Sequence, residues 1–294
     1  MNASTACVCG YVQVRQHFSS NFDALHCGRC GSSHFVPKEG AAPVEFRYNT
    51  DNEKYTQRDY LYGKELRWAH HRLLAREWRG RKVLEIGCFN GFFLDELKKR
   101  GARVHGFDVN TDALEVGRAI FGLGDTLRSS LPELAAMGSF DDIICVDVVE
   151  HLDEPAGFLV EVSSMLAPSG RLIIAGPTLD RRFHDKSDYP PHHKWWFSRE
   201  GLKLLLQSKG FAVHEVLVQR DGLLMLRNLI GKALNGLGKR EFYGDGASAA
   251  PSASRGIGRH VYAAASRVGT ALFSVLRISY CSAILIADRS TLGR

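Results

Sequence analysis

Val83-Leu-Glu-Ile-Gly-Cys-Phe-Asn-Gly91 is the stretch that decides the fold. Its first residues, with Lys82, form an apolar strand, a turn carrying Gly87 and Gly91 follows, and GFFLDELKKRG then reads as a helix closed by Gly101. A strand, a glycine turn and a helix start in succession aim backbone N–H groups and a positive helix end at a ligand.

Working outward, strand and helix signals alternate from Arg81 to Phe211. ARVHGFD reads as a second strand and TDALEVGRAIFG as a helix with Thr111 as N-cap and Gly122 as C-cap. A weak third strand falls near Asp125–Ser130, and DDIICVDVV is the fourth. EPAGFLVEVSSML is a helix ended by Pro168 and Gly170, and RLIIAG is the fifth strand. SREGLKLLLQSKG, FAVHEVLV and a late SAILIAD supply one more helix and two more strands. Such alternation predicts a doubly wound, mostly parallel α/β sheet of seven strands.

The turn also selects its ligand. A dinucleotide fingerprint needs a second glycine where the backbone meets a pyrophosphate, and here that position is Phe89, with Glu85 closing the strand. A carboxylate repels a diphosphate and favours a cation, and S-adenosylmethionine carries an ammonium and a sulfonium without any phosphate. Asp108 ends the second strand 23 residues after Glu85, where a carboxylate can accept both ribose hydroxyls.

At these residues the sequence resembles the class I S-adenosylmethionine-dependent methyltransferases, most closely the group with an E-H signature, over roughly residues 55–218. The family's first motif stands as Glu85-Ile-Gly87-Cys88-Phe89-Asn-Gly91, departing at Phe89. The supporting marks are Gly106-Phe-Asp108, then Asp147-Val-Val-Glu150-His151, Leu166-Ala-Pro-Ser-Gly170, and His192-His193 ahead of Phe197-Ser198. The resemblance implies that Glu85, Gly87, Cys88, Phe89 and Gly91 hold the methionine moiety, that Asp108 holds the ribose, and that Val109 beside it also contacts the cofactor. It further implies adenine near Ser129–Leu131 and a cofactor wall of Asp147 and Val148. For a hydroxyl acceptor, His151 and His193 are the candidate bases, with His192 beside them. The competing reading is that these histidines only orient and pack their loops.

Residues 1–40 hold Cys7, Cys9, Cys27 and Cys30, four of the seven cysteines. Clustered thiolates in a chain with an odd cysteine number point to a structural zinc site rather than a disulfide framework. The Cys7-x-Cys9 pair is one residue short of ordinary knuckle spacing, so His17, His26 and His34 are alternate ligands. The module resembles a zinc ribbon. Residues 41–80 are a polar, aromatic lead-in with a helical look from Lys64 to Trp78, residues 81–220 the cofactor-binding core, and residues 281–294 the last strand and tail.

The net charge of +6 is carried by residues 221–280 and their immediate borders, a basic amphipathic stretch read as a helical insertion. Peripheral contact with an anionic membrane is the alternative reading of that stretch. No apolar run is long enough to span a bilayer and no secretory signal is visible at the N-terminus, so the expected compartment is the cytoplasm. The expected function is methyl transfer, as O-methylation, to a small molecule or a glycan- or lipid-linked precursor. Two alternatives compete. An RNA methyltransferase would grip nucleic acid with the cysteine module and the basic stretch, but the basic residues lie among leucines rather than exposed aromatics, which argues against nucleic acid. A scaffold protein would keep the cofactor fold without turnover.

Overall fold

The computed structural model describes residues 6–41, 68–178, 189–219 and 282–289 of the 294. The basic stretch 221–280, most of the lead-in and the last five residues lie outside the described residues.

Along the chain run β1 (Val14–His17), β2 (Phe22–His26), β3 (Ser33–Pro37), α1 (Trp68–Leu74), β4 (Lys82–Ile86) and α2 (Phe92–Lys99). β5 (Arg103–Phe107), α3 (Thr111–Phe121), β6 (Leu127–Arg128), α4 (Leu131–Ala135), β7 (Phe140–Val146) and α5 (Pro155–Ser164) follow. β8 (Leu166–Pro177), β9 (Trp195–Trp196), α6 (Arg199–Ser208), β10 (Phe211–Val218) and β11 (Ser282–Arg289) complete the order.

Seven strands form one sheet in the order β10-β11-β8-β7-β4-β5-β6. β4 pairs parallel with both β5 and β7, and β11 is the one strand of the seven that runs opposite to the rest. Strands buried on both faces need apolar residues at successive positions, and KVLEI, DDIICV and RLIIA supply them. Alternation then sends Val83, Ile144, Ile173 and Ile284 to one core with α1, α2 and α3. Leu84, Ile143, Leu172 and Leu285 go to the other, against α5 and α6.

Several local expectations change. Asn110, not Thr111, caps α3, because the Asn110 side chain accepts from the Ala113 N–H at 3.0 Å. Gly122 closes that helix in the left-handed region as expected. The helix ahead of Pro168 stops at Ser164, and β8 already begins at Leu166. The described part of the lead-in helix ends at Leu74; Trp78 is fully buried beyond it, its indole N–H donating to the Leu73 carbonyl at 2.8 Å.

The N-terminal module is a second sheet, β1-β2-β3-β9, and its fourth strand comes from far along the chain, between β8 and α6. Ser33 and His34 pair with Trp196 and Trp195.

Candidate cofactor and acceptor site

β4, β5, β7 and β8 end on one edge of the sheet, the edge where open α/β sheets bind ligands. The turn after β4 is fastened to β5 by main-chain bonds from Gly87 and Cys88 to the Phe107 carbonyl, at 2.8 and 3.0 Å. Gly87 sits at φ +74°, and a Cβ there would stand 2.5 Å from Val148 Cγ2, so glycine alone lets the turn close against the end of β7. Phe89 occupies the left-handed region, φ 52°, and donates its N–H to Asp108 Oδ2 at 2.7 Å. Asp108 Oδ1 accepts from the Asn110 N–H at 2.8 Å. One carboxylate therefore shapes both the glycine turn and the start of α3, and burial raises its pKa above the ordinary value.

Glu85 is buried, and its Oε2 has no hydrogen-bond partner among the described residues. Burial, then the charge of Asp108, pushes its carboxyl well above the usual range. A carboxyl group buried in this way is costly unless a cation meets it. His70 of α1 approaches it, Nε2 lying 4.0 Å from Glu85 Oε1, with its ring edge-on to Phe92. His70 is the residue that the sequence reading missed. A lone histidine on a helix gives no signal until the fold brings it beside Glu85. Cys88 is buried, its thiol held up by burial. Val109 is exposed, and Asp147 adopts φ 53° at the end of β7 with its N–H on the Ala175 carbonyl at 2.8 Å.

The histidines do come together. One ring nitrogen of each of His151, His192 and His193 lies within 4.8 Å of the others. His151 Nδ1 meets the His192 carbonyl at 2.6 Å, and because a carbonyl only accepts, Nδ1 is the donor. The loop is held further by the Lys194 N–H on the Glu150 carbonyl (2.8 Å) and by the Trp195 indole N–H on the Leu152 carbonyl (3.0 Å). Glu150 is buried beneath, against Gly176 of β8.

At the other end, the four thiols converge. Cys7 and Cys30 sulfurs lie 3.5 Å apart, as do those of Cys9 and Cys27, and all four fall within 4.8 Å of one another. Tetrahedral zinc with Zn–S of about 2.3 Å sets sulfurs about 3.8 Å apart, so the set fits the ion despite the short first pair. Burial pushes Cys27 up, but backbone N–H groups of Cys30 and Arg29 and the neighbouring thiols outweigh it and bring it down to about 7. The alternate ligands are engaged elsewhere: His17 with Lys38, His26 with Ser33, and His34 stacked on Trp195 at 4.1 Å.

Strand order and edge site together define the class I methyltransferase fold. A solved SAM-dependent methyltransferase from Archaeoglobus fulgidus superposes with a TM-score of 0.51 at 21% identity, covering 79% of this chain and 99% of that one. A sequence profile described as a methyltransferase domain matches residues 57–216, more than half the chain, so the chain belongs to that family. It is 33% identical over 110 residues to the ubiquinone biosynthesis O-methyltransferase of Aromatoleum aromaticum, covering 35% of this chain and 46% of that protein. It is 31% identical over 103 residues to the mitochondrial ubiquinone biosynthesis O-methyltransferase of Schizosaccharomyces pombe, covering 33% and 38%. The matched stretch thus spans less than half of those relatives. Among the described residues, no helix is long and apolar enough to cross a membrane.

Proposed function

We propose that this chain is an S-adenosylmethionine-dependent O-methyltransferase whose acceptor is a small molecule or a glycan- or lipid-linked precursor. The observation that carries the reading is the buried Glu85 carboxylate, one oxygen without a hydrogen-bond partner, beside a glycine turn shaped by Asp108. Bound S-adenosylmethionine supplies a methyl group on a positively charged sulfur. Glu85 meets the ammonium, the turn from Gly87 through Cys88 and Phe89 to Gly91 wraps the methionine moiety, and Asp108 and Val109 face the ribose. Asp147 and Val148 form the wall at the end of β7. His151 and His193 stand on the acceptor side, where an imidazole takes the hydroxyl proton as the acceptor oxygen displaces sulfur from the methyl carbon. Proximity supplies much of the rate in such a displacement, so the walls matter as much as the base. Zinc on Cys7, Cys9, Cys27 and Cys30 has a structural role, because four protein ligands leave no open position. The ubiquinone biosynthesis relatives support an oxygen acceptor on a small molecule.

Titration calorimetry with S-adenosylhomocysteine, with NAD as the comparison, tests the cofactor assignment. Binding of S-adenosylhomocysteine alone is expected; binding of NAD alone overturns it. With an acceptor found from a panel of phenolic, sugar and prenylated hydroxyl compounds, His151→Ala and His193→Ala should each keep S-adenosylhomocysteine affinity and lose about 10²- to 10⁴-fold in turnover. Unchanged turnover in both removes the base.

A further inference from the structure

The thiolate cluster and the histidine cluster are joined by an unbroken path of main-chain and side-chain bonds. Cys30 offers its carbonyl to the Ser198 hydroxyl, and the Ser198 N–H donates to Ser32 Oγ at 3.1 Å. Ser198 Oγ also caps α6, accepting from the Gly201 N–H at 2.8 Å. A Cβ on Gly201 would collide with Ser32 Oγ, so the first turn of α6 is pressed against the cysteine knuckle. One step back along the chain, β9 adds to the module's sheet, and the Phe35 N–H donates to the Lys194 carbonyl at 2.8 Å. His34 stacks on Trp195, which in turn stacks on Phe197 with ring centroids 5.2 Å apart. Phe18, from the turn between β1 and β2, packs on Trp196 and on Tyr189, at 5.6 and 5.7 Å between centroids. The segment 189–198 is therefore held from the module side at Tyr189, at Lys194 through Trp196, and at Ser198. On the opposite side the same residues carry His192 and His193 and brace Glu150, His151 and Leu152.

We propose that the four-cysteine site is the positioning device of the acceptor side: zinc on Cys7, Cys9, Cys27 and Cys30 fixes the segment 189–198, and through it the three histidines. Ser198 and Trp195 are positioning residues, acting through the loop rather than on a reacting atom. The glycine turn of the cofactor half is bonded instead to β5, through Gly87, Phe107, Phe89 and Asp108, and the two halves meet at the end of β7, where the His151 N–H donates to the Val148 carbonyl at 3.0 Å. Zinc loss should therefore divide the site, releasing the histidines and leaving the glycine turn in place. The proposal rests on the methyltransferase reading only in calling the histidines the acceptor side.

The test is amide hydrogen exchange on the full chain, zinc-loaded and after zinc is stripped with a mercurial and a chelator, alongside calorimetry with S-adenosylhomocysteine. Metal analysis should give one zinc per chain. Stripping should raise exchange at least tenfold in peptides covering 149–152 and 192–198 as well as in the module. Peptides covering 83–108 and the S-adenosylhomocysteine affinity should change less than twofold, and added zinc should reverse the effect. Ser198→Ala, with its zinc retained, should loosen 192–198 selectively. Loosening confined to residues 6–37 would overturn the proposal by making the module a separate bead. Exposure of 83–108 with loss of ligand binding would overturn it by making zinc a general folding anchor, and absence of zinc would remove its basis. A native chain that never binds S-adenosylhomocysteine would instead sink the methyltransferase reading, and the exchange pattern would still decide the coupling.

Discussion

On the proposed function, Glu85 trades stability for binding. Its carboxyl is buried and held well above the ordinary range, first by lost hydration and then by Asp108. The sign of its pH effect follows. An acid whose folded pKa is raised costs the cofactor-free fold stability as pH climbs through that value, because the charged form is then buried. A cationic ligand reverses this, so its affinity should fall as pH drops through the same value and the carboxyl takes a proton. Glu85→Gln keeps the shape and removes the charge. It should raise the melting temperature of the cofactor-free protein by about 2–4 °C for each kcal/mol recovered. It should also weaken S-adenosylhomocysteine about 10- to 100-fold, the size of a lost charge-assisted hydrogen bond. Scanning calorimetry and titration on the same sample read both; a fall in melting temperature would contradict the account. Glu85 and Asp108 were legible in the sequence because they close apolar strands at fixed distances from a glycine turn. His70 was not, because its partner is 15 residues away and only the packing of α1 on α2 and β11 brings them together.

Among elements, the sheet's center depends on Asp142 of β7, which is wholly buried. It accepts from Arg81 Nε, just before β4, and from Arg171 Nε of β8 at 2.6 Å. Lys82 adds a main-chain bond to the neighbouring Asp141 Oδ2 at 2.7 Å. Two guanidinium groups on one fully desolvated carboxylate lock three adjacent strands in register at the end away from the site. Removing that carboxylate leaves two half-buried cations facing each other. Asp142→Ala should therefore cost about 3–5 kcal/mol in urea denaturation, whereas an exposed pair such as Lys99–Glu96 should cost under about 1 kcal/mol. A loss for Asp142 no greater than for the exposed pair would mean that water reaches the site. The sequence announced these strands through their apolar runs, and Asp141-Asp142 entered the reading only as the first residues of DDIICVDVV. Only the pairing with β4 and β8 assigns the second carboxylate a structural charge. The cap of α3 was misplaced by one residue for a related reason: Asn110 and Thr111 both suit an N-cap, and the choice turns on a 3.0 Å bond to Ala113.

At the scale of the whole molecule, composition separates a cysteine-rich start from an α/β core, and the structure joins them. Cysteine clustering pointed to four thiols that the fold does bring within 4.8 Å of one another. Nothing local marked Trp195-Trp196 as the last strand of the N-terminal sheet, because a two-residue strand carries no periodicity and its partner is some 160 residues upstream. The consequence is that the module cannot be removed cleanly. Trp195 and Phe197 are buried at the seam, Ser198 and Ser32 are buried polar groups satisfied by each other, and β9 would become an unpaired edge. A chain lacking residues 1–41 should thus expose aromatic surface and strand edge together, and both favour association. It should express mainly as aggregate, and any soluble fraction should melt at least 10 °C below the full chain, a loss of several kcal/mol for a protein of this size. The comparison that decides is a chain carrying Trp196→Lys and Tyr189→Lys on the same deletion. If seam exposure is the cause, these charges should recover soluble protein that still binds S-adenosylhomocysteine through Glu85 and Asp108. A plain deletion that stays monomeric, with an unaltered melting temperature, would mean that the two sheets merely touch.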